Sequence, residues 1–192
     1  MMDSTRHKLL VSVPTLPDPN FFRSVVFMIE HTDDGALGVV LNQPTEMRID
    51  AALETPLDAW APLAAPPAVA FVGGPVQQHD ALIGFARVAQ VDATDEWQPL
   101  LGRVGTVDLG RDPRDARADL EAVRIFAGYS GWAPSQLEGE LEAGGWHVLD
   151  ALPDDLLTSD PANLWRTVLR RQGGDLAVSA NYPARGEGPA VN

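Results

Sequence analysis

The segment from Val25 to Leu41 places the strongest constraint on the fold, because it has the pattern of a β-hairpin. Residues 25–30 are rich in β-branched and aromatic side chains, which favour strands. Asp33, Asp34 and Gly35 follow, and a second apolar run covers residues 36–41. Two apolar strands joined by a short Asp-Gly loop are typical of antiparallel pairing. An antiparallel sheet is therefore expected in this chain.

A second organising stretch covers residues 125–146. Apolar residues alternate through residues 123–127 and then meet Gly128, which predicts a buried strand that ends in a tight turn. Ser135 and Glu138 then have the spacing of a capping box at the start of a short helix. Many folds place a ligand where a strand ends in a tight turn before a helix, so a site is predicted near this turn.

The rest of the chain alternates short apolar runs with proline-rich or glycine-rich connections. Further strands are predicted at residues 9–13, 69–72, 81–88, 104–109 and 146–149. Proline after aspartate predicts helices over residues 112–122 and 160–171, and a short helix is predicted at residues 49–53. Residues 55–67 are predicted to form a surface loop around Trp60, and residues 92–99 to be polar and exposed. The pattern favours an α+β protein with a mixed, mainly antiparallel β-sheet and three or four short helices.

The length of 192 residues suits one domain. We expect a single compact α+β domain over residues 1–182 and a flexible tail over residues 183–192, which are rich in glycine, proline and polar residues. No apolar run approaches the length needed to cross a bilayer, and the first apolar run is too short for a signal peptide. A cytoplasmic location is therefore expected, without membrane association.

Composition argues against two classes of function. The chain has 14 basic and 27 acidic residues and a formal charge of −13, which repels phosphate backbones, so direct nucleic-acid binding is not expected. The basic group Arg166, Arg170 and Arg171 lies near the end of a predicted helix, where such residues are typical dipole partners. Cysteine is absent, which excludes disulfides, thiolate catalysis and cysteine-based metal sites.

Ser130 invites comparison with the nucleophile elbow of hydrolases. Gly128 occupies the upstream glycine position of that motif, but Trp132 stands where the downstream glycine is needed. A bulky indole there obstructs the close helix approach that glycine permits, and no histidine is marked by sequence as the base. Ser130 is therefore interpreted as a turn residue that hydrogen-bonds locally.

Two other patterns do not indicate a binding or catalytic site. Gly73 and Gly74 follow a strand, as phosphate loops do, but the lysine and hydroxyl residue of a P-loop are missing. A structural turn is the preferred interpretation. The histidines at positions 7, 31, 79 and 147 share no metal-ligand spacing, so neither a metal nor a cofactor is predicted.

Several motifs occur together in a characteristic order. They are Asp18-Pro-Asn-Phe-Phe-Arg-Ser-Val25, Glu30-His31, Gly35-Ala-Leu-Gly38, Asn42-Gln-Pro44, Gly73-Gly-Pro75 and Gly128-Tyr-Ser-Gly-Trp132, followed by Gln136-Leu-Glu138 and Trp146. In combination they resemble the YqgE/AlgH family, a group of bacterial proteins with plant relatives. The resemblance runs from Leu9 through the helix that contains Trp165.

The resemblance implies a compact α+β fold and an intracellular protein. It also brings the label of transcriptional regulator, which comes from genetic association in one branch of the family. Direct DNA binding is not expected here, because the charge is unfavourable and no helix-turn-helix pattern precedes a basic recognition helix.

Positions that match the family motifs come from hairpin ends and strand–helix turns, so they are expected to converge on one cleft. The polar and aromatic members are Asn20, Arg23, Glu30, His31, Asn42, Gln77, Tyr129, Trp132, Gln136 and Glu138. Gly73, Gly74 and Ser130 complete the predicted binding cleft. Many relatives carry histidine near the end of the strand that here reads Gly-Phe-Ala-Arg at residues 84–87, so a mechanism that needs that histidine is not expected.

Three functions remain open. The preferred hypothesis is a regulatory protein that binds a small molecule or a protein partner without catalysis of its own. The second is a hydrolase-like enzyme, which predicts that Arg23, Glu30, His31 or Glu138 share one pocket near residues 129–132. The third is the DNA-binding regulator of the family label. Exposed hairpin strands would also allow self-association into a homo-oligomer.

Overall fold

The structure is a computed structural model that describes residues 4–16, 18–49, 57–92, 94–116 and 118–183. Its strands are β1 (Lys8–Ser12), β2 (Val25–Thr32), β3 (Gly35–Val40), β4 (Pro44–Arg48), β5 (Val69–Val72), β6 (Leu82–Val88), β7 (Trp97–Leu101), β8 (Val104–Val107), β9 (Leu120–Ala127), β10 (Ser130–Trp132) and β11 (Trp146–Asp150). The α-helices that lie wholly in the described residues are α1 (Pro113–Ala116), α2 (Gln136–Glu142), α3 (Pro153–Leu156), α4 (Leu164–Arg170) and α5 (Gly174–Ser179). Short 3₁₀ helices cover Pro19–Phe21, Leu57–Leu63 and Pro161–Asn163.

Sheet A contains the predicted hairpin. Its strand order is β10-β3-β2-β1-β11, and every neighbouring pair is antiparallel. The hairpin is confirmed, because β2 pairs with β3 from Thr32 opposite Gly35 to Val26 opposite Val40. The short strand β10 then pairs with β3, with Trp132 opposite Ala36. The glycine-rich turn therefore lies beside the second hairpin strand.

Sheet B contains the remaining strands in the order β4-β5-β9-β6-β8-β7. β5 and β9 run parallel, whereas the other neighbours in this sheet are antiparallel. The predicted α+β class, with mixed and mainly antiparallel pairing, is confirmed. The strands divide between two sheets instead of one, and β4, β7 and β10 lie outside the predicted strands.

The inner faces of the two sheets share one hydrophobic core. Phe27 of sheet A packs edge-on against Phe85 of sheet B, with ring centroids 5.9 Å apart, and Phe85 packs against Phe126 at 5.0 Å. Helix α4 adds Trp165 and Leu169 to the same core. Because side chains alternate along a strand, the neighbours of these inward residues point to the opposite faces of the sheets.

Each outer face has its own cover. The outer face of sheet A carries Leu10, Val26 and Met28, which pack with Leu137 of α2. The outer face of sheet B packs against the 3₁₀ helix Leu57–Leu63. Both covers bury apolar side chains that the strands would otherwise expose to water.

Two predictions of exposed loops are wrong for the tryptophan that each segment contains. Trp60 is fully buried in the 3₁₀ helix that covers sheet B, and its indole N–H donates to Arg111 O at 3.0 Å. Trp97 is also fully buried, because it opens strand β7 and donates to Ala86 O at 3.1 Å. In both places the outer face of sheet B requires apolar cover, and this tertiary need overrides the polar or proline-rich local sequence.

The helix predicted over residues 112–122 is also largely wrong. Pro113 does begin α1, but that helix ends at Ala116, and Leu120 begins β9. The strand pairs with β5 on one side and with β6 on the other. A central strand gains backbone hydrogen bonds on both edges, which outweighs the local signal for a helix. The other predicted helix begins as the 3₁₀ turn Pro161–Asn163 and continues as α4.

Arg124 is the largest buried polar side chain of sheet B, with 1% of its surface exposed. Its guanidinium lies 4.2 Å from the centre of the Phe71 ring and donates to Thr158 O at 2.9 Å and to Pro66 O at 2.6 Å. Burial lowers the pKa of Arg124 to about 10. The side chain therefore ties β9 to two connecting segments.

Two predictions fall partly outside the described residues. The predicted helix at residues 49–53 has only Ile49 within them, and the predicted tail has only Pro183. Among the helices that the structure describes, none is both long and apolar enough to span a bilayer.

Candidate functional site

The predicted cleft residues divide between the two ends of the β2–β3 hairpin. Arg23 and Asn42 lie at the end where the chain enters β2 and leaves β3, whereas Glu30 and His31 lie near the turn. Arg23 and His31 are separated by the length of β2, which is roughly 25 Å at about 3.3 Å per residue. The expectation of one shared cleft is therefore not met, because a strand holds its two ends apart.

At the entry end, Asn42 joins backbone segments. Its Oδ1 accepts from the Val25 N–H at 2.9 Å, and its Nδ2 donates to Arg23 O at 2.9 Å. Asn20 is exposed, and its carbonyl accepts from Gln43 Nε2 at 2.8 Å. These bonds hold the entrance to the hairpin in place.

Arg23 is part of the same anchoring arrangement. Its backbone has φ of 52°, in the left-handed region. Its guanidinium lies 5.2 Å from the centre of the Trp165 ring and 5.5 Å from that of Phe22, and it donates to Tyr182 O. The side chain therefore links the entry to β2 with α4 and with the segment that follows α5.

Gly73 and Gly74 connect the two sheets. Gly73 O accepts from the Val40 N–H of sheet A at 2.8 Å, and the Gly73 N–H donates to Ala127 O of sheet B at 2.8 Å. A Cβ on Gly74 would lie 2.3 Å from the Tyr129 carbonyl carbon, and φ at Gly74 is +154°. The close approach of two backbones accounts for both glycines, as the interpretation of a structural turn predicts.

The residues beside this junction also have structural partners. Ser130 is fully buried, and its hydroxyl donates to Gly73 O at 3.2 Å. Tyr129 pairs with Val76 through two backbone hydrogen bonds of 3.0 Å. Gln77 has φ of 52°, and its carbonyl accepts from the Asp80 N–H at 3.1 Å. A buried and bonded hydroxyl is poorly placed to attack a substrate.

At the turn end, His31 links the N-terminal segment to α2. Its Nδ1 faces the Thr5 N–H at 3.1 Å and the Thr5 hydroxyl at 2.9 Å, and its Nε2 lies 3.0 Å from Glu138 Oε1. Because a backbone N–H can only donate, Nδ1 is the acceptor and Nε2–H donates to Glu138. A hydrogen bond from its own backbone N–H and another from His31 lower the pKa of Glu138.

The predicted capping box is wrong. Ser135 has φ of 64° and makes no side-chain cap, while the Glu138 side chain turns to His31. Gln136 instead bonds to the segment before the helix, since its Oε1 accepts from the Ala133 N–H at 3.1 Å. Glu30 stands apart from this network and lines a shallow cavity of about 320 Å³ with Asp34 and Trp132.

Trp132, Trp146 and Phe21 form an aromatic cluster beside α2. Phe21 stacks on Trp132 at 6.2 Å and meets Trp146 edge-on at 5.3 Å between ring centroids. Glu140 lies between the indoles, where its Oε2 accepts from Trp132 Nε1 at 3.0 Å and from Trp146 Nε1 at 2.9 Å. Its Oε1 accepts from Gln136 Nε2 at 3.1 Å. One carboxylate therefore fixes both rings.

A cavity of about 420 Å³ opens beside this cluster, between the segment before β2 and the end of α2. We call it the aromatic cavity. It is lined by Val13, Thr15, Leu16, Asp18, Phe21, Glu140, Ala143, Gly144, Gly145 and Trp146. Apolar walls with a few polar groups are typical of ligand sites in this size range.

The predicted cleft does not include the residues that line the aromatic cavity. No local pattern in the sequence indicated that Glu140 accepts from two indoles. The two tryptophans that bracket α2 in sequence were the available signal, since aromatic residues at both ends of a helix either seal a core or line a pocket. Here Trp146 does both.

A larger cavity of about 620 Å³ lies against the cover of sheet B, far from this cluster in the fold. Its charged groups pair with each other, because Arg114 donates twice to Asp112 at 2.9 and 2.7 Å. This pairing neutralises the two charges, in contrast to the negative charge at the aromatic cavity, where the described lining residues include no basic side chain. In the part of the chain that the structure describes, no group of three or more His, Asp or Glu side chains could hold a metal ion.

Similarity to known proteins extends over nearly the whole chain. A family model described as AlgH-like matches residues 9–177. A UPF0301 protein of Streptomyces coelicolor is 45% identical over 196 residues, which cover 100% of this chain and 97% of that protein. A UPF0301 protein of Mycobacterium tuberculosis is 47% identical over 179 residues, covering 91% and 86% of the two chains.

Two solved structures share the fold. The crystal structure of a Corynebacterium diphtheriae protein has a TM-score of 0.83 and 32% identity, covering 94% of this chain and 93% of that one. The solution structure of the AlgH protein from Pseudomonas aeruginosa has a TM-score of 0.64 and 27% identity, covering 96% and 97%.

Proposed function

The chain belongs to the AlgH-like family, and we propose that it acts by binding, as a regulatory protein whose ligand or partner group occupies the aromatic cavity. The observation that carries this proposal is that Glu140 and Trp146 line an open cavity, and that Glu140 holds the indole of Trp146 together with that of Trp132. Rings held in place by hydrogen bonds form a preorganised surface, which lowers the entropy lost on binding.

The state of the other polar residues supports binding over hydrolysis. A hydrolase needs an accessible nucleophile next to a base. Ser130 is buried against Gly73, and both ring nitrogens of His31 are engaged by Thr5 and Glu138. Arg23 lies at the opposite end of β2 from His31, so the side chains of the enzyme hypothesis do not line one pocket.

Charge and pairing also argue against recognition of DNA. The formal charge is −13, and the basic group at the end of α4 is partly neutralised. Arg171 makes a two-bond ion pair with Asp155, with both distances at 2.7 Å, and Arg170 donates to Asn181. A regulatory role would therefore act through a small molecule or a protein partner.

A ligand screen with a matched pair of variants tests the proposal. Ala143→Phe places a ring in the aromatic cavity from an exposed position at the end of α2. Gly139→Phe places the same ring on the same helix, where no heavy atom lies within 4 Å of an added Cβ. Thermal shift and native mass spectrometry then compare metabolites and candidate protein partners on the wild type and both variants.

We expect at least one compound or partner to bind the wild type and Gly139→Phe but not Ala143→Phe. Both variants should unfold at a temperature close to that of the wild type, because both substituted positions are exposed. A screen without hits, or hits that bind Ala143→Phe as well as the wild type, would overturn the proposal.

A further inference from the structure

We infer that the group bound in the aromatic cavity is an organic cation, an ammonium or guanidinium on an apolar stem. This inference rests on the proposed function, because it specifies the chemistry of the same cavity. The described residues that line the cavity include the carboxylates of Asp18 and Glu140 and no lysine, arginine or histidine. A cationic group is the complement of that set of charges.

The carboxylates also retain capacity to accept hydrogen bonds. Asp18 Oδ1 accepts from the Asn20 N–H at 2.8 Å, and Oδ2 has no hydrogen-bond partner among the described residues. Glu140 receives three donors, while a carboxylate offers about four lone-pair sites. The unused capacity of these two carboxylates is that of acceptors, which a ligand with N–H donors can satisfy.

The rings supply a second reason. Phe21 and Trp146 line the cavity and meet edge-on at 5.3 Å, so they present faces in two directions. The face of an aromatic ring attracts a cation within about 6 Å of its centre, and tryptophan does so most strongly. Val13, Leu16 and Ala143 offer apolar contact to the stem that carries the cation.

The surroundings of the aromatic cavity also favour a cation. Helix α2 ends at Glu142, and the residues after it, Ala143 to Gly145, line the cavity. The end of a helix carries a partial negative charge, which favours a cation nearby. The formal charge of −13 raises the local concentration of cations over the whole surface.

Three probes distinguish the charge and the source of the ligand. Phenethylammonium carries a cation on an aromatic stem, and 2-phenylethanol is its neutral counterpart. Nα-acetyl-lysine amide presents the same cation as a protein partner would. Binding is measured by tryptophan fluorescence and isothermal titration at low salt and pH 7.5, with the wild type, Asp18→Asn and Asp33→Asn.

Asp18→Asn removes a charge from the cavity and retains an oxygen that can accept from the Asn20 N–H. Asp33→Asn removes the same charge from an exposed position in the hairpin turn. In the wild type we expect phenethylammonium to bind about tenfold more tightly than 2-phenylethanol. Asp18→Asn should reduce this preference to about threefold, and Asp33→Asn should leave it unchanged.

The lysine probe identifies the source. If it binds as tightly as phenethylammonium, a basic side chain of a protein partner is the occupant; if it binds at least about tenfold more weakly, the occupant is a free amine. Both results support an organic cation, provided that Ala143→Phe removes the binding.

The inference fails if 2-phenylethanol binds as tightly as phenethylammonium, or if Asp18→Asn behaves like Asp33→Asn. If Ala143→Phe blocks the binding of 2-phenylethanol, the proposed function still holds. The inference also fails if no cationic probe binds while the ligand screen yields a neutral or anionic occupant of the cavity. If no probe binds and the screen yields no occupant, the inference and the proposed function fail together.

Discussion

The five tryptophans form two groups that differ in where the indole N–H donates. In the first group each side chain is at most 1% exposed and donates to a backbone carbonyl. The pairs are Trp60 with Arg111, Trp97 with Ala86 and Trp165 with Ser12. A backbone acceptor is fixed by the fold, so these indoles hold the covers and the core in place.

Trp132 and Trp146 form the second group, because both donate to the Glu140 side chain. Glu140 also lines the aromatic cavity, so the acceptor that holds these two indoles is itself part of the cavity wall. Burial alone does not distinguish the two groups, since Trp132 is only 6% exposed and Trp146 only 5%. The nature of the acceptor separates them.

The largest effect is expected when a tryptophan of the first group is replaced. Trp97→Ala should lower the free energy of unfolding by about 4 kcal/mol, because it empties a fully buried indole site and leaves Ala86 O without that donor. Urea denaturation followed by circular dichroism measures it. A loss below about 1 kcal/mol would show that Trp97 is not part of a packed core.

A smaller effect is expected from the acceptor of the second group. Glu140→Ala should lower the free energy of unfolding by about 2 kcal/mol, because two indole N–H groups with little solvent access lose their partner. The matched control is Glu142→Ala, on an exposed position of α2, with an expected change within about 0.5 kcal/mol. Equal results for both variants would remove the distinction between the two groups of tryptophans.

A third substitution tests whether Ser130 has a role beyond its local hydrogen bond in the turn. Ser130→Ala should lower the free energy of unfolding by about 1 kcal/mol, since it removes a buried hydrogen bond to Gly73 O. Binding in the aromatic cavity should be unchanged, because Ser130 does not line it. Loss of binding or of any enzymatic turnover in this variant, with the fold intact, would revive the enzyme hypothesis.

The smallest effect concerns pH. Burial, with a smaller contribution from Arg6, lowers the pKa of His7, whose ring stacks on Phe27 at 6.1 Å. Below a pH of about 6.5 the unfolded chain therefore binds more protons than the folded one, and the free energy of unfolding decreases as the pH falls. This loss is complete once the pH passes below the lowered pKa.

His7→Phe retains the ring and removes the titrating group. Urea denaturation at pH 7.5 and 5.5 should show a smaller decrease for His7→Phe than for the wild type. A decrease remains in the variant, because burial also lowers the pKa of His147. If the wild type and His7→Phe have equal pH dependence, His7 does not contribute to it.

Local sequence patterns predicted the hairpin and most central strands, because alternation and turn residues act over a few positions. They failed where a distant partner decides the structure. Ser135 and Glu138 have capping-box spacing, yet Glu138 pairs with His31, which lies 107 positions away. Trp97 lies in a polar stretch, and its burial follows from the pairing of β7 with β8.

The candidate site was still harder to predict. Glu140 meets Trp132 and Trp146 at spacings of 8 and 6 positions, which match neither a single helix nor a single strand. The wall that contains Val13 and Phe21 meets the wall of residues 143–146 only because β1 and β11 are neighbours in sheet A. Residues that match family motifs, such as Asn42 and Gly74, mark the entrance and the junction of the fold instead.

Gly73 bonds through its N–H to one sheet and through its carbonyl to the other. Local unfolding of either sheet at this point breaks a hydrogen bond that also holds the other sheet. We therefore expect the two sheets to unfold as one cooperative unit. In native-state hydrogen exchange, the amides of Val40 and Gly73 should then report the same opening free energy.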